Sequence, residues 1–203
     1  RDPYRAIQAL NRLCFEEEDL RGDTQTYDDP RNCYLNEVLD RRRGIPITLS
    51  AIYLEAASRT SLPLRGVAFP GHFLVKVEDA AGPLYIDPFN AGRILAREDL
   101  RDLLERHEGP GAEIREPHVE PVGPKSILSR MLLNLKRLYA GAGDAARVIQ
   151  VSDRLLDLDP YSADVARDRG LAALQLHRYA EAMRDLLRYA HLVPQAPDAR
   201  QRL

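Results

Sequence analysis

A histidine and an aspartate stand at matching ends of one short stretch of this chain. His72 lies in Gly71-His72-Phe73-Leu74-Val75-Lys76-Val77, and Asp87 in Leu84-Tyr85-Ile86-Asp87-Pro88. An imidazole oriented by a carboxylate supplies two members of a nucleophile–His–Asp triad. Phe73 to Val77 alternates apolar and polar residues, the period of a half-buried strand. Leu84 to Ile86 reads as a second strand, with turn-type sequence from Glu78 to Pro83 between them. A hairpin centred near Asp79 and Ala80 sets His72 opposite Asp87, where paired Cβ atoms lie about 4.5–5.5 Å apart. The competing reading is structural: a histidine after Pro70-Gly71 serves a turn, and an aspartate before Pro88 ends a strand. A metal held by His72 and Asp87 finds no third ligand at a recognisable spacing, and no cofactor motif is present.

The elements that must position this pair are helical first and stranded second. Tyr4 to Glu18 reads as a helix with Ile7, Leu10, Leu13 and Cys14 on one apolar face, which makes Cys14 a buried structural thiol. A polar loop from Arg21 to Asn32 leads into a helix from about Cys33 to Arg42, with Leu35, Val38 and Leu39 facing inward. Arg41-Arg42-Arg43 suits the negative pole of that helix and reads as a solvated turn. Gly44-Ile45-Pro46 introduces a third helix, 47–59, with proline favourably placed at its first position. Its apolar residues run nearly all round, which puts it inside a core. Strands follow at about 64–69, 73–77 and 84–86, then a turn over Asn90 to Gly92 and a short helix, 98–106. The pattern is α+β, a buried central helix against an antiparallel sheet.

Residues 1–108 form this first domain. Residues 109–124, with Gly109-Pro110-Gly111, Pro117, Pro121 and Gly123-Pro124, form a linker, and His107 and His118 in or near it are expected at the surface. Residues 125–203 are helical and repeat: Asp159-Pro160 recurs as Val193-Pro194, and Ala146 as Ala180. A period of about 34 residues in paired helices ending at proline is the tetratricopeptide signature. About three such units are normally needed for stability, so these two must lean on the first domain or on a partner. A peptide-binding groove and a packing appendage both remain open for this region.

Composition bounds the function. A net charge of −2 argues against a general nucleic-acid binder. No apolar run reaches the ~20 residues of a membrane span, and the first residues carry no signal-peptide pattern. Two cysteines, Cys14 and Cys33, make neither a disulfide framework nor a metal-ligand pair, so a reducing cytoplasm is expected. The opening at Arg1 without methionine reads as a trimmed N-terminus.

Taken together, Tyr27-Asp28-Asp29-Pro30-Arg31-Asn32, Leu35-Asn36-Glu37-Val38-Leu39, Arg43-Gly44-Ile45-Pro46-Ile47, Pro70-Gly71-His72-Phe73-Leu74 and Ile86-Asp87-Pro88-Phe89 closely resemble the bacterial SirB-like proteins. These are transglutaminase-like proteins with tetratricopeptide-like helices at the C-terminal end, and the likeness covers nearly the whole chain. It implies a papain-like fold in which a cysteine at the N-terminus of the central helix pairs with a histidine and an aspartate on the following strands. His72 and Asp87 match that pair, while the nucleophile position falls at about Pro46, which has no nucleophile. A helix N-terminus stabilises a thiolate and can offer N–H groups to an oxyanion, so the chain keeps the setting without the reactive atom. Covalent chemistry would need another nucleophile near His72. Thr48 and Ser50 are the nearest hydroxyls in sequence, and Cys33 could come from the preceding helix; each has a plain structural alternative in capping or burial. Two functions compete: a non-catalytic module that binds a protein or peptide through the repeats, and a hydrolase or acyltransferase with a relocated nucleophile.

Overall fold

The computed structural model describes residues 3–60 and 62–193. The chain divides between Ile127 and Leu128 into two compact units.

In the first unit, α1 (Pro3–Asn11) continues into a π-helical turn, Arg12–Glu17. The π turn inserts an extra residue and rotates the face that follows it. Cys14 therefore stays buried while Leu13, expected on the same face, is exposed. Two short segments, β1 (Arg21–Gly22) and β2 (Arg43–Gly44), pair in parallel on either side of α2 (Leu35–Arg41). Of the three apolar residues expected to face inward from α2, only Val38 does so; Leu35 and Leu39 are exposed. With seven residues the helix turns one narrow face to the core, and the run of apolar residues was broader than that face. α3 (Pro46–Ser58) is the central helix, with Pro46 to Ser50, Tyr53 and Ala57 all buried.

A five-stranded antiparallel sheet runs in the order β6-β5-β4-β3-β7, built from β3 (Arg65–Val67), β4 (Leu74–Asp79), β5 (Gly82–Asp87), β6 (Arg93–Leu95) and β7 (Pro121–Val122). On one face Val75, Val77 and Ile86 pack against Ile7, Leu10, Leu49 and Tyr53. On the other, Leu74, Tyr85 and Val67 pack with Leu100 and Leu104 of α4 (Arg97–Glu108). Covered on both faces, β4 buries the successive residues Leu74 and Val75, with Phe73 buried just before them, so it is not the half-buried strand its alternation suggests. Lys76 meets the alternation by laying its ammonium over the Tyr85 ring, 5.8 Å from the centroid.

The hairpin register also differs from expectation. Asp79 pairs with Gly82 and Val75 with Ile86, so the loop is the two residues Ala80 and Ala81. Asp87 then falls level with Leu74, two residues from His72. Residues 109–124, expected to link, return to the sheet instead: α5 (Glu116–Val119) is a single turn, and β7 pairs with the exposed side of β3. Pro121 lacks an N–H, which an edge strand tolerates. Ala112, Ile114 and Val119 pack on the α4 side of the core.

The second unit holds α6 (Pro124–Gly141) from Leu128 onward, α7 (Ala145–Leu158), α8 (Ala163–Gln175) and α9 (Tyr179–Leu192), with α8 packed against both α7 and α9. Met131, Leu135 and Tyr139 make the buried stripe of α6 at a spacing of four. Arg169 clasps neighbouring helices, holding Asp153 of α7 at 2.7 Å and both oxygens of the buried Asp185 of α9 at 2.6 and 2.7 Å. The next residue, Gly170, lies where a Cβ would come within 3.0 Å of Leu186, so α8 and α9 touch closely there. Pro194, the proline that closes the second repeat in the sequence, lies outside the described residues.

Candidate functional site

His72 and Asp87 meet despite the shifted register. Asp87 ends β5 and caps the 3-10 turn Pro88–Asn90: its Oδ1 accepts from the Phe89 and Asn90 amides at 3.0 and 3.4 Å, and its Oδ2 from Asn90 Nδ2 at 2.7 Å. His72 precedes β4 in a turn closed by its own N–H donating to the Phe69 carbonyl at 3.0 Å. Gly71 holds φ at +66°, and a Cβ there would come within 2.6 Å of the His107 ring, so this position needs glycine twice over.

His72 Nε2 lies 2.9 Å from Asp87 Oδ1, with the carboxylate 1% and the imidazole 11% exposed. The approach is close in distance but off the N–H direction, and Nε2 makes no aligned hydrogen bond. Burial pushes the Asp87 carboxyl up, and the neighbouring His72 and Asn90 more than offset this, holding it below the usual carboxylate range. Phe89 stands edge-on to the imidazole at 6.0 Å, and Tyr27 edge-on to Phe89 at 6.1 Å.

The residues weighed as nucleophiles are occupied or enclosed. Pro46 is the first residue of α3 and is buried. Thr48 Oγ1 caps the helix, accepting from the Ile45 N–H at 3.1 Å and donating to the Asn32 carbonyl at 2.9 Å. Ser50 Oγ donates to the Phe73 carbonyl at 3.3 Å, which pins α3 to the chain beside His72. Both hydroxyls are fully buried, and Cys33 is 3% exposed at the end of the 3-10 turn Pro30–Cys33. Burial and Glu18 push the Cys14 thiol up to about 11, so it is unreactive at neutral pH.

One part of this site carries no nucleophile pattern and went unread in the sequence. Asp23, buried at the head of the loop, accepts from the amides of Gln25 and Thr26 at 3.2 and 2.8 Å, from Thr26 Oγ1 at 2.6 Å and from Asn32 Nδ2 at 3.1 Å. Burial works against its charge, yet these donors hold its carboxyl at about 2. Arg41 donates to Asn32 Oδ1 at 3.2 Å and stands 3.5 Å from Asp23, so it belongs to this network and not to a solvated turn. The carbonyl of the same Asn32 receives Thr48, which couples the loop to the N-terminus of α3. The Asp-x-x-Thr spacing of a capped turn was the available signal. Of the two later histidines, His107 is exposed as expected, whereas His118 is half-buried and edge-on to Phe69 at 6.5 Å. No group of three His, Cys, Asp or Glu among the described residues is placed to hold a metal, and no described helix is long and apolar enough to cross a membrane.

A central helix whose N-terminus faces a sheet bearing a paired His and Asp is the transglutaminase-like arrangement. Residues 1–133 match the family described as transglutaminase-like superfamily, and residues 135–201 match tetratricopeptide repeat. A UPF0162 protein of Xylella fastidiosa is 43% identical over 191 residues, 93% of this chain and 68% of the relative. Protein SirB1 of Salmonella typhimurium is 30% identical over 165 residues, 81% of this chain and 61% of its own length. F-box only protein 21 of Mus musculus is 31% identical over 183 residues, 85% of this chain but 27% of that protein. No solved structure matches the chain. The chain belongs to the UPF0162 and SirB1 family of transglutaminase-like proteins with a tetratricopeptide region.

Proposed function

We propose that this chain is a non-catalytic protein-binding or regulatory module built on a transglutaminase-like core that lacks the cysteine nucleophile. The observation that carries this reading is Pro46 at the first position of α3, where the class places its thiol. Its support is that Thr48 and Ser50 spend their hydroxyls on backbone carbonyls and Cys33 is enclosed. On this reading the His72–Asp87 contact locks the start of β4 to the end of β5, and the repeat helices receive a protein or peptide. Two buried thiols outside any disulfide fit a reducing cytoplasm.

The retained His72–Asp87 contact favours one alternative, a hydrolase or acyltransferase with a relocated nucleophile. Labelling separates the two. The folded chain should react with iodoacetamide or a fluorophosphonate no faster at Cys33, Thr48 or Ser50 than the denatured chain does. Enhanced labelling at any of the three, lost in His72→Ala, would establish the alternative and end the binding-module reading.

A further inference from the structure

Asp87 is held through its main chain as well as its side chain. Its carbonyl accepts the Gly92 N–H at 2.8 Å, which closes the loop 87–92. Two successive residues of that loop, Ala91 and Gly92, have φ of +54° and +72°. Left-handed backbone of this kind persists where surrounding bonds over-determine it. One such bond comes from another element: Asn11, the last residue of α1, donates Nδ2 to the Gly92 carbonyl at 2.9 Å. A Cβ on Gly92 would collide with the Asn11 amide, so turn and helix meet there without a gap. We propose that Asn11 is the positioning residue of the His72–Asp87 pair, holding through Gly92 the turn from which Asp87 reaches the imidazole. The inference rests on the reading of that contact as the lock between β4 and β5, and it makes the N-terminal helix part of the site.

The amide of Asn11 is set for this task. Tyr53 of α3, 1% exposed, donates its hydroxyl to Asn11 Oδ1 at 2.8 Å. The Gly92 carbonyl can only accept, so both partners demand the same orientation of the amide. Burial raises the Tyr53 pKa above its ordinary value, and Cys14 adds to this, so the phenol keeps its proton and stays a donor. Phe15 of the π turn stacks on the Tyr53 ring, 5.9 Å between centroids and 14° between planes. The ordinary use of an asparagine at a helix boundary is as a cap. Asn11 has helical φ and ψ and makes no side-chain cap bond to the π turn, so its amide serves the two long-range partners instead. It thereby joins three elements: α1, the central helix, and the turn after β5.

The test follows two side-chain carboxyl carbons of the full chain by NMR through an acid titration. One is Asp87, which His72 and Asn90 hold low; the other is Asp29, held low by Arg31, as a reference outside the turn. The variants are Asn11→Leu, which keeps the shape and removes the amide, Tyr53→Phe, which removes only the hydroxyl, and the two combined. Thermal melts of each confirm folding. In Asn11→Leu the Asp87 midpoint should rise towards the ordinary carboxylate value by about half a pH unit or more, with Asp29 unmoved. Tyr53→Phe should raise it less, and the double variant no further than Asn11→Leu, because Tyr53 acts through the amide. A merely structural Asn11 would lower the melting temperature and leave the Asp87 midpoint in place, which overturns the proposal. An equal rise at Asp29 overturns it too, since the whole fold would then have loosened. Should Asn11→Leu fail to fold, Tyr53→Phe decides alone, and an unmoved Asp87 midpoint there is the overturning result. The labelling comparison above judges the parent reading independently.

Discussion

Asp87 and Asp23 are the two carboxylates on which the site depends, and they answer acid in the same direction. Each has a folded-state pKa below its unfolded value, which is about 3.9. The stability each contributes is therefore complete above that unfolded value and is lost as pH falls through the folded one. For Asp23 the window runs from about pH 4 down to about 2. Urea unfolding measured across this range should show a falling midpoint, and Asp23→Asn should flatten that fall while lowering stability at neutral pH. An unchanged slope in the variant would mean that Asp23 does not carry the acid sensitivity. Asp87 was legible in the sequence because a carboxylate before proline beside a strand has few roles. Asp23 was not, because its partners Thr26, Asn32 and Arg41 converge only after the loop has folded.

The central helix is held by bonds that do not involve its first residue. α3 begins at a proline, yet its first turn is capped by Thr48, tied through Asn32 to the loop and through Ser50 to the chain beside His72. Nothing in that bonding uses Pro46, which has no N–H to give. The setting should therefore still activate a thiol placed there. In Pro46→Cys the introduced thiol should react with iodoacetamide with an inflection roughly one pH unit or more below the ordinary value of about 8.5. Mass spectrometry would locate the adduct, with buried Cys14 and Cys33 as internal references. An inflection at the ordinary value would show that neither the helix end nor His72 acts on that position. Helices were the more readable elements: the all-round apolar character of α3 gave its burial directly. α1 was misread at Leu13 because a π turn leaves no mark in apolar spacing. α2 was misread because Leu35 and Leu39 are apolar without being covered.

At the scale of the molecule, the order of elements was legible and the closure of the sheet was not. Glycine and proline between 109 and 124 mark breaks in helix, and a linker and an edge strand such as β7 satisfy that composition equally. Pairing of β7 with β3 depends on residues more than fifty positions apart, which no local pattern records. The two-residue slip in the β4–β5 hairpin has a related cause: Ala80 and Ala81 carry none of the usual turn markers, so the centre of the loop was set too early. The strand order β6-β5-β4-β3-β7 has a consequence for how the site ages under stress. His72 and Asp87 hang from β4 and β5, the strands with neighbours on both sides, while β6 and β7 are the rims. Local opening begins where a ladder has a free side. Amide exchange into heavy water should therefore be slowest at Val75 and Ile86 and fast at Val122 and Arg93. Comparable exchange at all four would mean the sheet opens only as a whole. With the expected ranking, fraying can strip both rims while the imidazole and carboxylate remain face to face, and the pair becomes one of the last native contacts the unit surrenders.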